Sequence, residues 1–175
     1  MAKKLESIKL DLNLLIFKVT GVWKPDEAER KAAWELYVEL VTRISVVELK
    51  ENEGILREAL NSIYSLFSTT REVLRNYGPI VAIAHDGADY SLGRLAINML
   101  NFELRPLLAK WHPLLQEYES RKEKGVSIKA HEEKWESGEE LRKELNKTRV
   151  VLIDYSKYLA KAAGVEPLLD DEQIN

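Results

Sequence analysis

The chain contains no cysteine, which excludes disulfides, thiolate nucleophiles and cysteine-based zinc sites. Histidine is almost as scarce. His85, His112 and His131 are the three present, and none stands in an HExxH or comparable ligand spacing. The sequence has no Glu-x-x-His pair of the kind that builds metal sites inside bundles. It has no phosphate-binding P-loop, no GxSxG elbow and no glycine-rich dinucleotide turn. No metal and no cofactor is expected. Adjacent carboxylates occur at Glu132-Glu133, Glu139-Glu140 and Asp170-Asp171. On a helix such neighbours point about 100° apart and do not form an acid/base pair.

Long apolar runs are also missing. Leu14-Leu15-Ile16-Phe17 falls far short of the roughly 20 residues that span a bilayer, so no membrane association is expected. Lys3 and Lys4 are followed by Glu6 and Asp11, with no apolar stretch leading to a small-residue cleavage site, so the expected setting is cytoplasmic. Neither sign of charge dominates. The formal net charge of −3 argues against general nucleic-acid binding, which needs a basic face to displace phosphate counterions. A small basic pocket stays open.

What is present is ordinary globular material. The 175 residues are 45% apolar and 31% charged, enough for one domain that buries roughly 70% of its unfolded surface without staples. The expected division is one helical-bundle domain over 1–165 and a flexible acidic tail over 166–175.

Residues 8–13 alternate apolar and polar like a strand, while Leu5, Ile8, Leu12, Leu15 and Val19 also fit a helical stripe. An extended arm or short strand packed on the bundle is expected here. The other β-like run that could partner it is Ile80 to Ala84. Asp26 followed by Glu29 is a capping box that opens a first helix, whose arc Trp34, Tyr37, Val38, Leu40, Val41 and Ile44 ends near Val47. A second helix runs from about Gly54 to Tyr77, stopped by Gly78 and Pro79. Its small polar face, Glu58, Ser62, Ser65, Thr69, Glu72 and Asn76, suits close approach to another helix. Tyr64 falls on the opposite, basic side with Arg57, Arg71 and Arg75.

Asp89 or Ser91 can cap a third helix that reaches Leu104, where Pro106 must kink or restart it. The second piece runs from Leu107 to about Arg121. After a polar loop at 120–130, a last helix spans roughly 131–163 with a break near Ser137-Gly138. Leu141, Leu145, Thr148, Leu152, Tyr155, Leu159 and Ala162 keep the 4-3-4-3 spacing of an antiparallel bundle or coiled coil. The fold expected is mostly all-α: an antiparallel bundle of four to five helices with a Pro-kinked central helix and an extended N-terminal arm.

The candidate site is a polar stripe on the third helix. Arg94, Asn98, Asn101 and Arg105 fall within roughly 40° of one another on a 100°-per-residue helix. The rest of that cylinder is apolar except for Glu103, and such a helix is expected to be buried. A buried guanidinium cannot shed its proton and needs a partner. Glu58 and Glu72 on the second helix are the internal candidates. A phosphate or carboxylate ligand, gripped bidentately, is the external one. His112, beside the proline kink, can point towards the seam and titrates near neutrality. Three functional readings follow. The first is a non-catalytic regulatory or adaptor module that binds a protein partner or a small anion. The second is a self-assembling protein built on the 4-3-4-3 seam. The third is an enzyme that holds a phosphate- or carboxylate-bearing substrate with Arg94 and Arg105 and uses His112 as acid/base.

Overall fold

The computed structural model describes residues 7–43, 48–51 and 53–169. The first helix ends at Val41, with Thr42 as its C-cap, short of the expected end near Val47; residues 44–47 and most of the acidic tail lie outside the described residues. Of the tail's beginning, Leu168 donates its N–H to the Tyr37 hydroxyl and Leu169 packs on the core.

The N-terminal arm is a hairpin. Strands β1 (Ile8–Asn13) and β2 (Lys18–Trp23) pair antiparallel, Ile8 opposite Trp23 and Asn13 opposite Lys18. Ile8, Leu10 and Leu12 are buried while Lys9, Asp11 and Asn13 face outward, so the alternation seen in the sequence is that of a half-buried strand. The partner strand is therefore the next segment of the arm and not Ile80 to Ala84, where Pro79–Ala82 forms a 3-10 turn. Proline at the head of that run supplies no N–H for a sheet ladder. Gly21 is needed in β2. Its φ is +149°, and a Cβ there would meet the Asp89 side chain at 2.8 Å.

Helices α1 (Glu27–Val41), α2 (Leu56–Tyr77), α3 (Leu92–Asn98), α4 (Arg105–Glu119), α5 (Ile128–Glu132) and α6 (Gly138–Ala163) follow. A π-helical segment, Met99–Leu104, joins α3 to α4 without a break in the chain. The neighbours run antiparallel. Arg43 at the end of α1 meets Ser65 and Thr69, while Glu35 meets Tyr77 at the end of α2. Arg57 meets Glu119, while Phe67 meets Arg105. Glu103 meets Thr148, while Lys110 meets Glu140. The helix α6 closes the ring on α1, against which it packs most extensively. The expected break falls at 133–137, between α5 and α6. Every position of the 4-3-4-3 seam from Leu141 to Ala162 is buried inside this one chain. Among the described residues, no helix is long and apolar enough to cross a membrane.

Three buried glutamates tie the elements together. Glu29 completes the capping box of α1, accepting from the Asp26 N–H at 3.1 Å. It also accepts from the first N–H of α3, Leu92, at 2.6 Å and from the Trp23 indole at 3.1 Å. Glu132 caps α2 from across the chain, taking the Leu56 and Arg57 N–H groups at 2.7 and 3.2 Å. The local cap position, Ile55, has no side-chain acceptor. Glu103 accepts from Thr148 at 2.7 Å and from the Leu15 N–H at 2.6 Å. Burial raises the pKa of all three, and the hydrogen bonds partly offset it.

The kink follows from Pro106, which has no N–H to give the Phe102 carbonyl one helical turn back. The hairpin supplies it instead: Ile16 donates to Phe102 O at 3.3 Å. Phe17 lies against Phe102, ring centroids 5.2 Å apart. With the Leu15 N–H on Glu103, the tip of the arm is fastened to the π-helical segment by two hydrogen bonds and one aromatic contact.

Candidate functional site on a basic aromatic face

Arg94 and Arg105 are exposed, not buried, and Asn98 and Asn101 are half-buried. The rod from Leu92 to Glu119 is one of four in the ring, so one of its faces stays open. Desolvating a guanidinium is costly enough that the seam takes the open side. Ile97, expected in the core, is 48% exposed beside it. The internal lock with Glu58 and Glu72 does not form. Both glutamates are exposed, and the polar face of α2 that carries them turns to α1. There Arg43 donates to Ser65 and Thr69, and Glu72 borders Trp34 and Val38.

The arginines rest on rings instead. Arg94 stands 4.9 Å over Tyr90 and donates to the Asp89 carbonyl at 3.0 Å. Arg105 stands 5.2 Å from the Phe67 ring centroid, and its Nε donates to Asn101 Oδ1 at 3.1 Å. Arg71 reaches the same Phe67 ring from α2, at 5.5 Å. The cation–π attraction fixes the stems of these side chains and leaves guanidinium N–H groups facing solvent. Among the described residues, no carboxylate lies within ion-pair reach of Arg71, Arg75, Arg94 or Arg105.

The seam continues into the basic side of α2. Tyr64, 61% exposed, packs on Phe67 and meets His112 edge-on at 5.7 Å. His112 Nδ1 is 2.7 Å from Arg57 Nη1. Guanidinium can only donate, so this imidazole nitrogen accepts and the proton sits on Nε2. Burial first, and then the charge of Arg57, hold the His112 pKa below its ordinary value, while Glu119 pulls the other way. Arg57 itself is held bidentately by Glu119, both contacts 2.9 Å. His112 thus joins the face as a neutral, pinned ring beside Tyr64. The arrangement can bind negative charge on a partly apolar surface. Among the described residues of this face there is no nucleophile paired with a base.

A second grouping lies at the head of α1. His85 Nε2 faces Asp26 Oδ2 at 3.2 Å and Glu29 Oε2 at 3.7 Å, and the three donor atoms are close enough to share a cation. Asp26 Oδ1 and the remaining Glu29 sites are spent on capping N–H groups and the Trp23 indole, so the trio fastens the loop before α3 to the start of α1. The separation of His85 from Asp26 in the chain hides it from motif reading. Glu103 is visible in the sequence as the lone acid on an apolar cylinder. Glu132 is not, because His131-Glu132-Glu133 reads as a solvated helix start.

No protein-family model matches the chain, and neither a curated protein nor a solved structure matches it.

Proposed function

We propose that this chain is a non-catalytic helical-bundle module that docks an acidic segment of a partner protein on the face formed by Tyr64, Arg71, Arg94, Asn98, Asn101 and Arg105. The observation that carries this reading is the convergence of Arg71 and Arg105 on the Phe67 ring without a carboxylate partner among the described residues. Arginine and tyrosine are among the residues enriched at the energetic centres of protein interfaces, and the aromatic contacts hold these in place before a partner arrives. That pre-organisation lowers the entropy lost on binding. The net charge of the whole chain is −3, so the basic face is a local feature that selects the complementary sign. A cytoplasmic adaptor or regulatory role fits this surface and the lack of cysteine. Self-assembly through the last helix has less support, because its seam is spent inside the bundle.

The test is an NMR titration of the isotope-labelled chain with a synthetic glutamate-rich peptide, with a lysine-rich peptide of equal length as control. The reading expects saturable shifts confined to residues 64–75 and 94–105, weakened by added salt, and none with the lysine peptide. Shifts spread over other faces, or none at all, would refute it. Displacement of the peptide by low concentrations of inorganic phosphate would instead favour a small-anion ligand at the same residues.

A further inference from the structure

A groove of about 450 Å³ opens between the hairpin tip, the π-helical segment and α6. Leu14, Leu15, Leu107 and Val151 form the apolar part of its lining, Lys110, Glu144 and Lys147 the charged part, and Glu103 and Thr148 are its most deeply buried polar groups. That volume falls within the range of small-molecule pockets, which pair an apolar lining with a few convergent polar groups. π-helical turns are frequently found at functional sites.

Glu103 differs from the other two buried glutamates in how its charge is met. Glu132 sits at the N-terminus of α2, where the helix dipole favours an anion. Glu29 accepts three N–H donors and faces His85. Glu103 lies in mid-rod, 2% exposed, and accepts from two neutral donors, Thr148 and Leu15. An ionised carboxylate offers about four acceptor sites, so half its capacity remains. Among the described residues, no lysine, arginine or histidine is within ion-pair reach of it. Buried charge without a counter-charge is expensive, and a cation with an apolar body that enters this groove would supply that counter-charge. The mouth does not repel one strongly. Lys110 is neutralised by Glu140 and Glu144, at 2.9 and 2.7 Å, and Lys147 also lies in the field of Glu144.

We propose that this groove binds a small primary amine, its ammonium group donating to Glu103 and its apolar body lying against Leu15, Leu107 and Val151. The site is separate from the basic face and selects the opposite sign of charge. Because burial holds the Glu103 carboxyl above the usual carboxylate range, binding strengthens as pH rises through its ionisation.

Benzylamine is the probe, titrated against the full chain and followed by the amide signals of Leu15 and Thr148. Benzyl alcohol and benzoate, of similar shape, serve as neutral and anionic controls. The expected result is saturable benzylamine binding, at least about tenfold tighter than either control, a difference of ~1.4 kcal/mol. Glu103→Gln should lose that preference for the amine. Leu15→Trp, at a side chain 55% exposed, leaves the carboxylate in place and narrows the groove, so it should weaken benzylamine binding whatever the stability of the Gln variant. Benzoate binding as tightly as benzylamine, an undiminished preference in Glu103→Gln, or unaltered binding in Leu15→Trp would overturn the proposal.

Discussion

Removing the carboxylate of Glu132 should destabilise the protein through a helix it does not belong to. Its two oxygens take the first two N–H groups of α2, which the local cap residue Ile55 leaves unmet. Loss of a helix cap costs about 1 kcal/mol, within a range of roughly 0.5–2. Leu56 is buried, 1% exposed, so its N–H cannot turn to water, and an unmet buried donor adds ~1–3 kcal/mol. Glu132→Ala should therefore cost about 2–4 kcal/mol. At ~2–4 °C per kcal/mol for a domain of this size, that lowers the melting temperature by roughly 4–16 °C. The diagnostic arm is Ile55→Asp, which gives α2 its own cap. Combined with Glu132→Ala it should recover about 1 kcal/mol, whereas in the parent the Arg57 N–H is already taken by Glu132 and it should gain less. Urea denaturation of the parent, both single variants and the double variant forms a double-mutant cycle. A loss below about 0.5 kcal/mol, or equal effects of Ile55→Asp in both backgrounds, would refute the capping account.

Other expectations follow from the same geometry. Glu103 has a raised pKa, so the folded state binds its proton more readily than the unfolded state. Relative to Glu103→Gln, the parent should gain stability as pH falls towards the ordinary carboxylate range of about 4.3 and lose it as pH rises through the folded value; paired urea titrations across that window would show the reverse slope if burial did not dominate. His112 has a lowered pKa, so its contribution is present above about pH 6.5 and lost as pH falls through the folded value. His112→Gln should flatten that part of the stability profile, and an unchanged slope would remove Arg57 and burial as its cause. Pro106→Ala restores an N–H for Phe102 O and should release Ile16, speeding exchange of its amide by about tenfold, equivalent to ~1.4 kcal/mol; unchanged protection would contradict the account of the kink. Gly21→Ala meets both a positive φ and the Asp89 side chain, and should cost more than ~1 kcal/mol by thermal unfolding.

What is legible in the sequence is what depends on near neighbours. The capping box at Asp26 and Glu29, the stop at Gly78 and Pro79, the kink at Pro106 and the strand-like alternation of 8–13 are all local patterns, and each appears in the fold. Helical phase also puts Tyr64 with Arg57 and Arg71 on one side of α2, where they stand in the structure. What stays hidden is long-range pairing. Nothing near Glu132 says that it caps a helix beginning at Leu56, and nothing near Glu29 says that it also receives Leu92. The seam exists as a stripe, but its environment differs from the expectation. Apolar content around a cylinder predicts burial, whereas a rod in a four-helix ring keeps one open face, and charge decides which face that is. The acids at 58 and 72 share a side of α2 with Ser65 and Thr69, which Arg43 occupies, so they turn away from Arg94 and Arg105.

On the proposed reading, Arg71 and Arg105, which have no carboxylate partner among the described residues, form a docking surface for negative charge over Phe67. The most direct measurement is the affinity of a fluorescein-labelled glutamate-rich peptide, by anisotropy, for the parent, for Arg71→Ser/Arg105→Ser, and for Arg30→Ser on α1. About tenfold weaker binding is expected of the double variant, ~1.4 kcal/mol, with parent affinity kept by Arg30→Ser and no loss of helical content in either. Equal affinities for the parent and the double variant would contradict it.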